Sequence, residues 1–521
     1  MPGVWIVTAL MGLAASVRVV AWFQKAVLFD DGPLFLAMAD AIRDGDWPAV
    51  LGHDYHPFYS ALIAVATELG VGPEAAAVGI SIAGGSLAVG FLYGFICDSF
   101  GRVPAAIGAF LLALHPRAVA YSSDVQSEGV YMAFFLAAVW MAWRGLQRKP
   151  SFAMGAATGV LVGLAYLVRP EGLGLLGVAL VGAGVAGISR RVALGPLLAW
   201  SVALVAVAFL TAAPYLVGLQ SERGEWSLTP KKSLSTIVPF LETAVPEVGA
   251  PLAESRRRAA DRIGRPTPPR RAHAQAVAER PSARSGGAVL LDWGSTSLSA
   301  LRYDLLFLVF LGIASCWGRP GPRAGFVSTI AILYLVALYG LAWNAGYVSR
   351  RHALIPLLPL FGYAAEGVLH GGRLLGGVMD RYRSSRSQVP GRWYRVGVAA
   401  VLLAYVAVAL PADLSPRRTE SAAVRQAAEW LREEAPALAR VAAPRLRIAY
   451  YAGASFVPMP SPGDPQGVLH LRESGADYLV VEEEEFGHLS PIDEAPSEFV
   501  EIYRVEAQGR VGIVLEVIPA P

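Results

Sequence analysis

Two adjacent carboxylates, Asp30 and Asp31, open the stretch FDDGPLFLAMADAIRDGDWPAVLGHDYHPFYSAL, residues 29–62, between two apolar segments. Paired carboxylates at the edge of a low-dielectric layer are one way of building a general base. The alternative is N-capping of the amphipathic run 34–42, which an aspartate does well; the residues alone leave both open. The stretch passes through the turn Asp44-Gly45-Asp46-Trp47 and closes on His53, Asp54, Tyr55, His56 and Pro57. His53 and His56 are therefore candidates for substrate binding.

Cations of matching interest stand at the ends of other apolar segments: Arg169 in LVRPEG, and Arg350 and Arg351 in YVSRRHALIPLLP, where the adjacent His352 is a further candidate for substrate binding. A guanidinium recognises phosphate with a planar fork of donors, although it also snorkels to lipid headgroups. Asp124 and Glu128, in YSSDVQSEGVY, are the acidic counterparts and candidates for substrate binding. A carboxylate at such a depth needs a partner or a task, so Glu128 either pairs with one of these arginines or contacts substrate.

The elements that must position these residues follow from composition. The chain has 521 residues, of which 54% are hydrophobic and 16% charged, with mean hydropathy +0.46. That excludes an ordinary soluble enzyme and indicates a polytopic α-helical membrane protein. Apolar runs of spanning length, roughly 17–25 residues, begin near residues 4, 74, 103, 126, 151, 171, 193, 302, 324, 353 and 396, about eleven spans. Residues 58–70 are too short to span and are expected at the interface. The N-terminus lacks a basic leader region and a small-residue cleavage site, so residues 4–23 read as a retained span. Cys97 and Cys316 offer no disulfide framework, no Cys/His spacing forms a metal motif, and a net charge of +3 gives no argument for nucleic acid.

Orientation follows from Lys and Arg in the short loops. With the N-terminus inside, Arg102, Arg144, Arg148, Lys149, Arg190, Arg191, Arg319, Arg323 and a cluster from Arg373 to Arg395 all fall inside. Beyond the first loop, only Arg169, Arg350 and Arg351 fall in the short outer connections. The first loop (24–58), a Pro/Arg-rich segment at 219–300, expected to be a flexible linker or lid, and residues 413–521 then share the outer side. In a bacterium this is the periplasmic face of the inner membrane. Residues 1–412 read as the membrane domain and 413–521 as a small α/β domain, with a helix at 419–434, a strand at 476–481 and two strands within 499–517 about the turn Gln508-Gly509. The run Glu482–Glu485 reads as a solvated strand end.

An outer loop with an acidic pair, a short helix, Gly-Asp-Trp and then Pro-aromatic resembles the first outer loop of polyprenyl-phosphate-sugar-dependent glycosyltransferases of the C superfamily (GT-C). Protein O-mannosyltransferases and the aminoarabinose transferases that modify lipid A are the nearest families. SSDVQSEGVYMAFFLAA, LVRPEGL and RRHALIPLLPL resemble later elements in the same order, over most of residues 1–415. The resemblance puts Asp30 on the catalytic Asp, with Asp31 where Glu is usual; Leu34 and His352 stand where Tyr is usual. It implies a GT-C fold, inverting transfer from a polyprenyl-phosphate-linked sugar to a lipid, glycan or protein acceptor, and no nucleotide sugar. It implies no required cofactor, a divalent metal being possible, and donor-phosphate recognition by Arg350, Arg351 and Arg169. A flippase for a lipid-linked sugar or a structural subunit of an envelope complex are the rival readings; neither needs the carboxylate pair.

Overall fold

The computed structural model describes residues 2–147, 150–189, 192–230, 286–317, 322–345, 348–382, 392–436, 439–460, 469, 471, 473–484 and 498–518. The membrane part is helical because a segment in hydrocarbon must satisfy its own backbone donors and acceptors. Among the described residues, eight helical segments are long and apolar enough to cross a bilayer, or up to ten if two bent pairs each count as one span. The eight are built on α1 (Pro2–Phe23), α5 (Pro73–Ser99), α8 (Glu128–Gln147), α10 (Gly174–Ile188), α11 (Leu194–Arg223), α14 (Pro322–Ala345), α15 with α16 (Arg350–Leu357, Phe361–Tyr382), and α17 (Arg392–Leu414). The bent pairs are α6 (Arg102–Ala113) with α7 (Pro116–Ser122), at 60°, and α12 (Gly286–Leu301) with α13 (Tyr303–Ser315), at 86°.

The expectation of eleven spans also counted α9 (Phe152–Val168), an apolar helix of only 17 residues. Its packing explains why so short a helix is held. Gly155, Gly159 and Gly163 recur every fourth residue, and a Cβ on them would fall 2.2 Å from the Trp200 carbonyl, 2.6 Å from the Leu204 carbonyl and 2.6 Å from the Thr211 side chain. The stripe lets α9 and α11 approach backbone to backbone, as small residues at four-residue spacing do in membranes.

At the span expected from 302 a helix does begin, α13 at Tyr303, but a second helix leads into it at a sharp bend. The helical run begins sixteen residues earlier, at Gly286, and bends at Arg302, whose φ of 69° breaks the helix. The described chain likewise continues helically to Arg223 where a loop was expected. Residues 231–285, the larger part of the proposed flexible or lid segment, lie outside the described residues.

Between α1 and α5 the chain makes three short helices, α2 (Gly32–Arg43), α3 (Trp47–Gly52) and α4 (Phe58–Glu68). Asp46 caps α3 by accepting from the Ala49 N–H at 3.2 Å. The C-terminal domain packs α18 (Ala422–Glu434) and α19 (Leu446–Tyr451) on a five-stranded sheet of order β2-β1-β3-β5-β4. Its strands are β1 (Arg440–Ala443), β2 (Ser455–Pro458), β3 (Tyr478–Glu482), β4 (Phe499–Ala507) and β5 (Arg510–Val517). The first three are parallel and the last two form an antiparallel hairpin. Gln508 and Gly509, both at positive φ, make its two-residue turn. At the end of β3, Glu482 pairs with Arg510 at 3.2 Å and Glu483 with Arg504 at 2.7 Å, as a solvated strand end would.

Candidate active site

Asp31 occupies the N-cap position of α2, but its side chain makes no capping hydrogen bond. Its Oδ2 instead accepts from Arg351 Nη1 at 2.8 Å, and the Tyr55 hydroxyl donates to the same carboxylate. Burial first, and then the Asp31 charge, push the Tyr55 phenol above its ordinary range, so it stays a donor. Arg351 also lies 3.6 Å from Glu128, the first residue of α8. Glu128 is 2% exposed and takes a 2.7 Å bond from Arg169. Arg169 stands where α9 ends and a short 3-10 turn begins, and reaches Glu171 in that turn at 3.3 Å. His352 lies 3.7 Å from Glu171. Asp31, Tyr55, Glu128, Arg169, Glu171, Arg351 and His352 thus form one network at the ends of α8, α9 and α15.

Asp30 points elsewhere. Its Oδ2 lies 2.7 Å from Arg445 and its Oδ1 2.9 Å from Arg447, both from the C-terminal domain. Its side chain is 40% exposed against 19% for Asp31. The two carboxylates therefore have different partners and different access to solvent.

Asp124, 2% exposed, lies between Lys25 at 3.2 Å and Arg418, and accepts from the Phe29 and Val125 N–H groups at 3.3 and 2.8 Å. Burial works to raise its carboxyl, but Lys25 and Arg418 hold it below the ordinary aspartate value. Burial lowers the Lys25 ammonium to about 8 against the pull of Asp124. Asp124 joins the first loop to the C-terminal domain. His56 is buried behind the network: its Nδ1 is 2.7 Å from the Tyr166 carbonyl, and its ring packs edge-on to Tyr166. His53 is also buried, beside Tyr55.

Of the three arginines expected at a phosphate, Arg169 and Arg351 are ion-paired, and Arg350 is exposed with no carboxylate partner among the described residues. Arg350 and Arg302 lie close enough to Arg117 for their charges to repel it. The packing agrees: His115 Nε2 lies 3.3 Å from the Leu301 carbonyl, which brings the start of α7 to the bend at Arg302. The Arg117 Nη1 is buried with no hydrogen-bond partner. Arg117, Arg445, Arg447, Arg418 and Lys25 were not singled out from the sequence. Only their type recommended them, and arginines are common. Among the described residues no three His, Cys, Asp or Glu side chains gather as metal ligands; Asp31 and Glu128 carry guanidiniums instead.

Residues 54–217 match the family described as dolichyl-phosphate-mannose-protein mannosyltransferase. No curated protein sequence matches the chain. Among solved structures, apo ArnT from Cupriavidus metallidurans superposes with a TM-score of 0.57 at 15% identity, covering 99% of this chain and 98% of that one. The same protein bound to undecaprenyl phosphate gives 0.55 at 16%, over 98% and 97%. The oligosaccharyltransferase of Archaeoglobus fulgidus, tethered to an acceptor peptide, gives 0.58 at 14%, over 98% of this chain and 74% of that one. By fold this chain is a multi-span membrane protein of the GT-C type. The family match begins at Asp54, beyond Asp30 and Asp31, and covers under a third of the chain; together with the fold neighbours it agrees with the resemblance to polyprenyl-phosphate-sugar GT-C proteins read over most of residues 1–415.

Proposed function

We propose that the chain transfers a sugar from a polyprenyl-phosphate donor to an acceptor nucleophile at the periplasmic face of a bacterial inner membrane, with inversion at the anomeric carbon. One observation carries the reading: at the helix ends of a GT-C fold, Arg351 is taken by Asp31 of the carboxylate pair, while Arg350, the preceding residue of the same helix, is exposed and paired with no carboxylate among the described residues.

Asp30 is the base, being the more exposed carboxylate and bordering the C-terminal domain, where an acceptor arrives. The acceptor oxygen bonds to the anomeric carbon as its proton passes to Asp30. The bond from that carbon to the phosphate oxygen breaks, and its electrons leave on the polyprenyl phosphate. Arg350, with Arg117, receives the leaving phosphate and stabilises the charge that develops there. Arg351 and Arg169 hold Asp31 and Glu128 in place and define the wall of the site. The donor class is supported by ArnT, which binds undecaprenyl phosphate on the same fold; transfer to a peptide is the case of the archaeal neighbour, whose structure carries an acceptor peptide.

Native mass spectrometry of the purified protein tests the donor: a co-purified polyprenyl phosphate or its glycosylated form is expected, and its absence together with no binding of added undecaprenyl phosphate would refute the reading. Asp30→Asn tests the base. Asn caps a helix about as well as Asp, so expression and thermal stability stay near wild type while transfer falls on the order of 100-fold or more.

A further inference from the structure

The C-terminal domain reaches 415 residues along the chain to touch the carboxylate read as the base. Its hold on the first loop is continuous. The Arg417 N–H donates to the Gln24 carbonyl at 2.9 Å, the Ala26 N–H to the Arg417 carbonyl at 3.2 Å, and Arg425 to the Ala26 carbonyl at 2.6 Å. The Leu28 N–H donates to the Tyr451 hydroxyl at 2.9 Å, and Arg447 to the Leu28 carbonyl at 3.3 Å. Gln24, Ala26 and Leu28, alternate residues of this stretch, thus have backbone groups satisfied by the other domain, which fixes the loop's path.

The two guanidiniums on Asp30 differ in freedom. Arg447 is 6% exposed and is itself anchored through Nη2 to the Ser421 hydroxyl at 3.1 Å. The Arg445 side chain is 55% exposed, and among the described residues Asp30 is its only ion-pair partner. A buried, doubly held arginine sets geometry; a half-exposed one is in exchange with water, and its pairing is weak. We propose that Arg447 is a positioning residue through which the C-terminal domain sets Asp30, and that Arg445 is a displaceable cover that the acceptor removes to reach it. This rests on Asp30 as the base.

Three readouts on the full-length protein in lipid nanodiscs test the proposal. Labelling of carboxylates by a water-soluble carbodiimide with glycine ethyl ester reports access to Asp30, and amide exchange over residues 24–31 reports loop order. Turnover of undecaprenyl-phosphate mannose to free mannose, with water as acceptor, reports chemistry. Arg445→Gln is expected to raise Asp30 labelling and mannose release several-fold, with loop exchange and Asp31 labelling unchanged. Arg447→Gln is expected to speed loop exchange and to lower kcat at least about tenfold at unchanged donor KM, as a small misplacement of a reacting group does. Arg447→Lys should recover part of that loss. The proposal is overturned if Arg445→Gln leaves Asp30 labelling unchanged, or if both Gln variants loosen the loop and slow turnover alike, which is the behaviour of structural ties only. Wild-type turnover in Asp30→Asn would remove the base assignment instead, whatever the arginines do.

Discussion

Neighbouring residues of the same type have different surroundings in this site. Asp30 and Asp31 are one residue apart, yet one faces the C-terminal domain and the other the membrane helices. Asp31→Asn is accordingly expected to give a smaller loss of transfer than Asp30→Asn, because Tyr55 and Arg351 hold it as part of the wall. The reverse ranking in a transfer assay would move the base to Asp31. Arg350 and Arg351 divide in the same way. Arg351→Gln leaves Asp31 without its cation, although Glu128 keeps Arg169, and should destabilise the protein by about 3 kcal/mol, read as thermal unfolding in detergent. Arg350→Gln should leave that unfolding unchanged and weaken undecaprenyl phosphate binding about tenfold, the loss of one charge-assisted hydrogen bond. Asp124 has a pH signature. Its carboxyl is held below the ordinary aspartate value, 3.8. The stability it contributes is therefore fully present above that value and is lost as pH falls through the depressed one. Asp124→Asn should be markedly less stable than wild type at pH 7, and the gap should narrow in acid.

At the scale of elements, the α9–α11 contact is the place where sequence pattern and packing meet most directly. Gly159 lies against the Leu204 carbonyl at a distance no side chain tolerates, and neither backbone can give way without separating the helices. Gly159→Leu should therefore lower stability by about 1–3 kcal/mol or more and displace Arg169, which α9 carries at its end. Reduced transfer alongside an early unfolding transition is the expected result; a fully stable and active variant would mean the two helices are free to part. The 86° bend at Arg302 has a different function. It lets α12 turn away from α13 and leaves Arg302 paired with Asp304 at 3.1 Å, while the Arg302 charge still acts on Arg117 of α7.

For the whole molecule, the membrane helices and the helical face of the C-terminal domain share one contiguous apolar cluster, including Leu28, Phe35, Val424 and Tyr451. The domain is thus built onto the membrane part rather than tethered to it, and the first loop lies between the two. The orientation drawn from the loop charges puts that loop and the C-terminal domain on one outer side. Asp44→Cys and Ser474→Cys should both react with an impermeant thiol reagent in spheroplasts. Reaction of only one would require a different topology.

Much of this organisation was legible in the sequence, for a physical reason. Whether about twenty residues can cross a bilayer depends on those residues alone, so helices begin close to most of the expected span starts. A two-residue turn at Gln508-Gly509 is equally local. The concentration of Asp30, Asp31, Glu128, Arg169 and Arg351 at segment ends was visible because charge at such positions is costly anywhere in a membrane protein. The short parallel strands β1 and β2 were not visible, since four residues and no hairpin turn leave no period to read. Nor was the partner of each charge. Arg351 meets Asp31 across 320 residues and Arg445 meets Asp30 across 415. Those meetings are decided by how α15 packs beside α7 and α8 and how the C-terminal domain seats on the first loop. The sequence alone placed the carboxylates and the arginines at one face; only the tertiary structure chose which arginine neutralises which carboxylate, because an ion pair depends on distance in space, and local pattern carries none.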